Sequence, residues 1–108
     1  MNKGELWIVN LPFKKGREQF GSRPALILAN TKTDLIIVVP LTSNIQALRF
    51  PKTIEIKSSE ENGLEKDSIA LLFQVSAIDK RRMIKKIGNL EKSYIEEVNN
   101  NLREMLKL

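Results

Sequence analysis

Two short apolar runs joined by a polar tetrapeptide constrain this chain most: "RPALILAN" (23–30) and "LIIVVPLT" (35–42), on either side of "TKTD". Both are too short for core helices and rich in β-branched residues, so they read as strands with a turn between them. Strands that are apolar at nearly every position need cover on both faces. A small barrel, or a sheet packed under a helix, provides it.

The flanking sequence fits that frame. "GELWIVNL" alternates loosely and predicts a strand from about Glu5 to Asn10. "PFKKGREQFGS" has the composition of a mobile basic loop, carrying Lys14, Lys15 and Arg17. "TSNIQALRF" is irregular, with room for a short helical turn, and "KTIEIK" alternates as a strand. The acidic loop "SSEENGLEKD" leads into "SIALLFQVSAI", one long strand or two broken ones, and "DKRRM" makes a charged turn before "IKKIGNL". From Glu91 the period changes: Ile95, Val98, Leu102, Met105 and Leu106 recur at three and four, the signature of an amphipathic helix of about four turns. The expected fold is mainly β (α+β), a small barrel of five to seven strands closed by a C-terminal helix, as one domain over 1–108.

Composition narrows the chemistry. The 108 residues allow one modest core. They include no cysteine and no histidine, so thiolate nucleophiles, imidazole bases and the common transition-metal ligands are missing. Catalysis would rest on carboxylates, Arg, Lys, Ser/Thr or Tyr94. "LIIVVPL" is too short to span a bilayer and "MNKGELW" has no signal-peptide core, so the expected location is cytoplasmic, without membrane contact. The net charge of +5 is unevenly spread: +5 over 1–52, −3 over 53–78, +4 over 79–90 and −1 over 91–108. If the fold joins the two basic segments, a polyanion would meet them there, although many small basic domains are only soluble.

Candidate chemistry sits at strand ends. In an antiparallel hairpin the start of one strand lies beside the end of the next, which makes Arg23 and Thr42 neighbours. Two readings stand for this pair: a solvated arginine beside a threonine closing its own turn, or a phosphate clamp with a hydroxyl donor. Further polar candidates are Glu18 and Gln19 near Arg23, Ser43 and Asn44 after Thr42, and Gln74 within an apolar run, where a satisfied core amide is the plainer reading. The cluster Lys80, Arg81, Arg82, Lys85 and Lys86 reads either as a solvated face or as a phosphate track. An arginine and a hydroxyl, without metal or histidine, suit a reaction in which negative charge grows on phosphorus. RNA supplies its own nucleophile, the 2′-OH.

"GELWIVNLPFKKGREQFGSRPALILAN", "IIVVPLTSNIQ", "LEKDSIALLFQVSAIDKRRM" and "KKIGNLEKSYIEEVNNNL" resemble, in order and spacing, the MazF/PemK family of toxins from toxin–antitoxin modules. The resemblance covers nearly the whole chain. It implies an SH3-like, PemK-like barrel with a C-terminal helix, acting as a homodimer. It also implies a sequence-specific, metal-independent endoribonuclease that cuts single-stranded mRNA into 2′,3′-cyclic phosphate and 5′-hydroxyl ends and needs no cofactor. The family's catalytic arginine and threonine fall on Arg23 and Thr42. Arginine is a poor proton acceptor, so its role is electrostatic, and Glu18 is the candidate base. Candidate substrate contacts are Gln19, Phe20, Ser43, Asn44, Gln74, Lys14, Lys15, Arg17 and Arg81. The implied partner is an acidic, partly disordered, MazE-like antitoxin. Phe20, Phe73 and Ser76 depart from residues common in the family: glycine, an acid and arginine respectively. Two alternatives share the fold: a CcdB-like gyrase poison without nuclease activity, and a barrel that only binds RNA.

Overall fold

A computed structural model describes residues 1–11 and 21–108. Seven strands form one antiparallel system: β1 (Glu5–Leu11), β2 (Gly21–Asn30), β3 (Leu35–Thr42), β4 (Thr53–Ile56), β5 (Ser68–Leu71), β6 (Ser76–Asp79) and β7 (Met83–Asn89), followed by helix α1 (Lys92–Leu106). The order is β4-β5-β3-β2-β1-β7, and β6 also pairs with β3. β3 thus meets β2 along one edge and shares the other between β6, beside Leu35–Val38, and β5, beside Leu41 and Thr42.

The two apolar runs do form a hairpin buried on both faces. Leu26, Val39 and Leu41 enter the larger core with Leu6, Ile54, Ile56 and Leu72. Ala25, Ile27, Ile36 and Val38 enter a second core with Val9 and Ile78. The parity of the side chains makes this split, because successive residues of a strand point to opposite faces. Helix α1 covers the larger core: Val98 is fully buried, and Tyr94, Ile95 and Leu102 pack around it. Burying a side chain such as Val98 contributes about 1.5–3 kcal/mol. Most of the helical stripe is therefore satisfied within the chain, while Leu106 at its end stays exposed.

"SIALLFQVSAI" resolves into two strands broken by a 3₁₀ turn at Leu72–Gln74. Gln74 lies half-buried on that turn and not inside a strand. Pro24 lies within β2, opposite Ile8, and not at its first residue. The β2–β3 ladder ends at Ala25–Pro40, where neither Pro24 nor Pro40 has an N–H to extend it.

The sheet is open: β4 and β7, at its two ends, do not pair with each other. The β4–β5 connection, 57–67, lies against β7 instead. A Cβ on Gly63 would stand 1.9 Å from the Ile87 carbonyl oxygen, and one on Gly88 would stand 2.4 Å from that of Glu61. Only glycine permits backbones to approach so closely. The Asn89 N–H donates to the Glu61 carbonyl at 2.9 Å.

Asn62 locks this contact. Its side chain is fully buried; Nδ2 donates to the Lys57 carbonyl (2.9 Å) and Glu91 Oε1 (3.1 Å), and Oδ1 accepts from the N–H groups of Ser59 and Leu64 (3.0 Å each). Glu91, the residue before α1, makes no capping bond with its side chain; it accepts instead from Ser59 Oγ at 2.7 Å and from Asn62. Burial opposes the Glu91 charge, but the bonds from Ser59, its own backbone and Asn62 outweigh it and hold the carboxyl below its ordinary value of 4.5.

Truncating Asn62 to alanine strands the buried Leu64 N–H and the half-buried Ser59 N–H. The expected cost is about 2–4 kcal/mol, read as a lower denaturant midpoint with unchanged slope. Because the Glu91 pKa is depressed on folding, its stabilisation is complete above pH 4.5 and is lost as pH falls through the folded value. Glu91→Gln is therefore less stable than the parent near neutrality, and the gap narrows on acidification. Urea titrations at neutral pH and well below pH 4.5 measure it.

Candidate functional site

Beside the hairpin's open end, where β1, β2 and β7 meet the 57–67 connection, lies a cavity of about 750 Å³. That is within the range of small-molecule sites. Ser22, Arg23 and Pro24 of β2 line it with Ile8 of β1, Leu41 and Ser43 at the end of the hairpin, Lys85, Lys86 and Ile87 of β7, and Gly63 to Lys66 with Ser68.

Arg23 is paired in register with Val9. Continuing the β2–β3 register two positions past Ala25–Pro40 sets Arg23 opposite Thr42, so both occupy the same end of the hairpin. The Arg23 Nε is buried and finds no hydrogen-bond partner among the described residues. Leaving such a donor unpaired costs about 1–3 kcal/mol, more when it carries charge. A guanidinium in this condition is primed for an acceptor.

Thr42 is buried, pairs with Ile69, and its hydroxyl oxygen accepts from the Asn44 N–H at 3.2 Å. It does close its own turn, but the hydroxyl proton stays available. Its neighbours Leu41 and Ser43 line the cavity, whereas Thr42 does not. Asn44 caps the 3₁₀ turn Ile45–Arg49 by accepting from the Gln46 N–H at 3.0 Å.

Among the other expected contacts, Gln74 and Arg81 are off the cavity wall. Arg81 grips Asp79 through Nε (3.1 Å) and Nη2 (3.0 Å), and these bonds lower the Asp79 pKa while raising that of Arg81. Phe73 is exposed and packs on Phe50 with ring centroids 5.6 Å apart, away from Arg23; Ser76 begins β6. Lys14, Lys15, Arg17, Glu18, Gln19 and Phe20 lie outside the described residues.

Two charged wall residues, Glu65 and Lys66, were not among the expected contacts; Lys85 and Lys86 belong to the cluster with two readings, a solvated face or a phosphate track. The lysines of β7 were legible only as part of a basic run. Lys86 stands 3.8 Å from Glu5. Burial opposes the Glu5 charge, but the Trp7 indole N–H at 2.8 Å and nearby positive charge keep its carboxyl below the usual value. Arg23, Lys66 and Lys85 add positive charge to the same wall, so the cavity suits an anion. Among the described residues no group of three His, Cys, Asp or Glu gathers to hold a metal ion, and no helix is long and apolar enough to cross a membrane.

Comparison with known proteins places this arrangement. The sequence pattern of the PemK-like, MazF-like toxins of type II toxin–antitoxin systems matches residues 2–106. "Endoribonuclease MazF" of Staphylococcus saprophyticus is 34% identical over 104 residues, covering 93% of this chain and 86% of that protein. The crystal structure of MazF from Deinococcus radiodurans superposes with a TM-score of 0.81 at 24% identity, over 100% of this chain and 97% of the other. A MazE–MazF crystal structure from the same organism gives a TM-score of 0.75 at 25% identity, over 100% and 96%. With the hairpin, the cavity loop and the terminal helix all inside the matched span, the chain belongs to the PemK-like, MazF-like toxins of type II toxin–antitoxin systems.

Proposed function

We propose that this toxin is a sequence-specific endoribonuclease that cleaves single-stranded mRNA without a metal ion or cofactor. The observation that carries the reading is Arg23 on the wall of a cavity shared with Lys66, Lys85 and Lys86, its buried Nε without a hydrogen-bond partner among the described residues. Further support comes from the relative named an endoribonuclease.

In this mechanism the RNA 2′-oxygen attacks the adjacent phosphorus and the P–O5′ bond breaks. The products are a 2′,3′-cyclic phosphate and a 5′-hydroxyl. Negative charge peaks on the non-bridging oxygens of the five-coordinate transition state, where the guanidinium of Arg23 binds more tightly than in the ground state. The Thr42 hydroxyl adds a donor. Glu18 is the proposed proton acceptor for the 2′-hydroxyl, and the departing 5′-oxygen takes up a proton from water, the hydroxide so formed being neutralised by the proton Glu18 then releases. Lys85 and Lys86 hold flanking phosphates.

The same reading includes a homodimer and an acidic, partly disordered antitoxin. The toxin–antitoxin family and the MazE–MazF structure support the antitoxin, and the basic cavity gives it a complementary surface. The exposed pair Phe50 and Phe73 leaves apolar surface for a second copy.

The test incubates the protein in EDTA with a long unstructured RNA and maps the cut ends. Discrete cuts with 2′,3′-cyclic phosphates are expected, and Arg23→Ala should slow them by about 10²–10³-fold, the usual loss of one transition-state donor. If two sequence-diverse RNAs survive intact, the nuclease reading fails. Separately, the double variant Lys85→Ala/Lys86→Ala weakens binding of a non-cleavable oligonucleotide for all sequences alike. It also lowers the slope of log affinity against log salt by about 1 for each phosphate that the variant no longer neutralises.

A further inference from the structure

Among the described residues, Glu65 is the one carboxylate on a cavity wall whose other charged members are Arg23, Lys66, Lys85 and Lys86. A surface evolved only to hold phosphates gains nothing from it, since a carboxylate repels them. Nor is its place accidental. Leu64, just before it, is buried, with its N–H donating to Asn62 Oδ1 at 3.0 Å, and Gly63 sits hard against the Ile87 carbonyl. Shortly after it, Ser68 is buried at the start of β5, its hydroxyl donating to the Lys66 carbonyl at 2.9 Å. Its backbone is thus held from both sides.

Among the described residues the ion pairs are Lys52–Glu104, Lys57–Glu55, Lys57–Asp67, Arg81–Asp79 and Lys86–Glu5, and Glu65 is in none of them. Three lysines share the cavity wall, yet Glu65 pairs with none of them. A carboxylate on a held backbone in a cationic site matches the donors of a nucleotide, of which the exocyclic amine of a base projects furthest from the ring. Single-stranded bases present these edges unpaired.

We propose that Glu65 is a specificity-determining residue that accepts a hydrogen bond from the amine of a base beside the scissile phosphate, favouring adenine, cytosine or guanine over uracil. Uracil has no exocyclic amine, and its one edge donor, N3–H, is flanked by O2 and O4, which a carboxylate repels. The inference rests on the ribonuclease reading above.

The experiment maps cuts in a randomised RNA library for the parent protein and for Glu65→Gln, which keeps size and shape but replaces one acceptor oxygen by a donor. In the parent, uracil is depleted at one position near the cut by about ten- to hundredfold, the range of one good base contact. In Glu65→Gln that position admits uracil, because the amide can donate to O4, while the cut ends stay 2′,3′-cyclic. An unchanged sequence pattern in Glu65→Gln overturns the inference. So does a uniform loss of rate with an altered pH profile, which would make Glu65 a proton acceptor. Cleavage by the parent with no uracil depletion at any position sinks the inference and leaves the nuclease standing. Absence of cleavage by the parent removes the nuclease reading itself.

Discussion

The close approach of the 57–67 connection to β7 is the contact on which the rest of the structure depends. The strand ladder does not shut, so this connection spans the gap between the sheet's two ends, with Gly63 and Gly88 removing the side chains that would keep the backbones apart. The buried Asn62 then satisfies two N–H groups, a carbonyl and a carboxylate at once, tying the connection to the residue just before α1. Closure of the core, entry of the helix and the far wall of the cavity all follow from one knot.

That knot also explains the cavity's charge. The two basic segments of the sequence meet there: Arg23 from the first, and Lys85 and Lys86 from β7. The acidic segment between them reaches the same wall with one residue of each sign, Glu65 and Lys66. Other carboxylates are kept from competing. Asp79 is held by Arg81, Glu91 by Ser59 and Asn62, and Asp67 accepts from the Ser58 N–H at 2.8 Å. Among the described residues the result is a positive wall with one carboxylate outside their ion pairs, which is more selective than a uniformly basic face.

Arg23 shows how such a site is assembled on a stable scaffold. The hairpin that carries it is buried on both faces, and its ladder stops beside two prolines. The opening this leaves sets a buried guanidinium nitrogen where nothing in the described structure satisfies it. The cost is local, and the two cores on either side of β2 and β3 bear it.

The local patterns were legible in the sequence. Apolar continuity marked β2 and β3, the three-and-four spacing marked α1, and the antiparallel hairpin brought Arg23 and Thr42 to one end, because these features depend on neighbours within a few residues. The break at Leu72–Gln74 was only half legible, since an apolar run does not say where it turns. The cavity's remaining wall was not legible. Lys85 and Lys86 reach it through pairing with β1, at the other end of the chain, and Glu65 and Lys66 through backbone contacts that no periodicity records. The sequence by itself determined the strands, the helix and the sign of the charge. Only the tertiary structure decided which charges face one another, because that choice rests on long-range register and on the absence of two side chains.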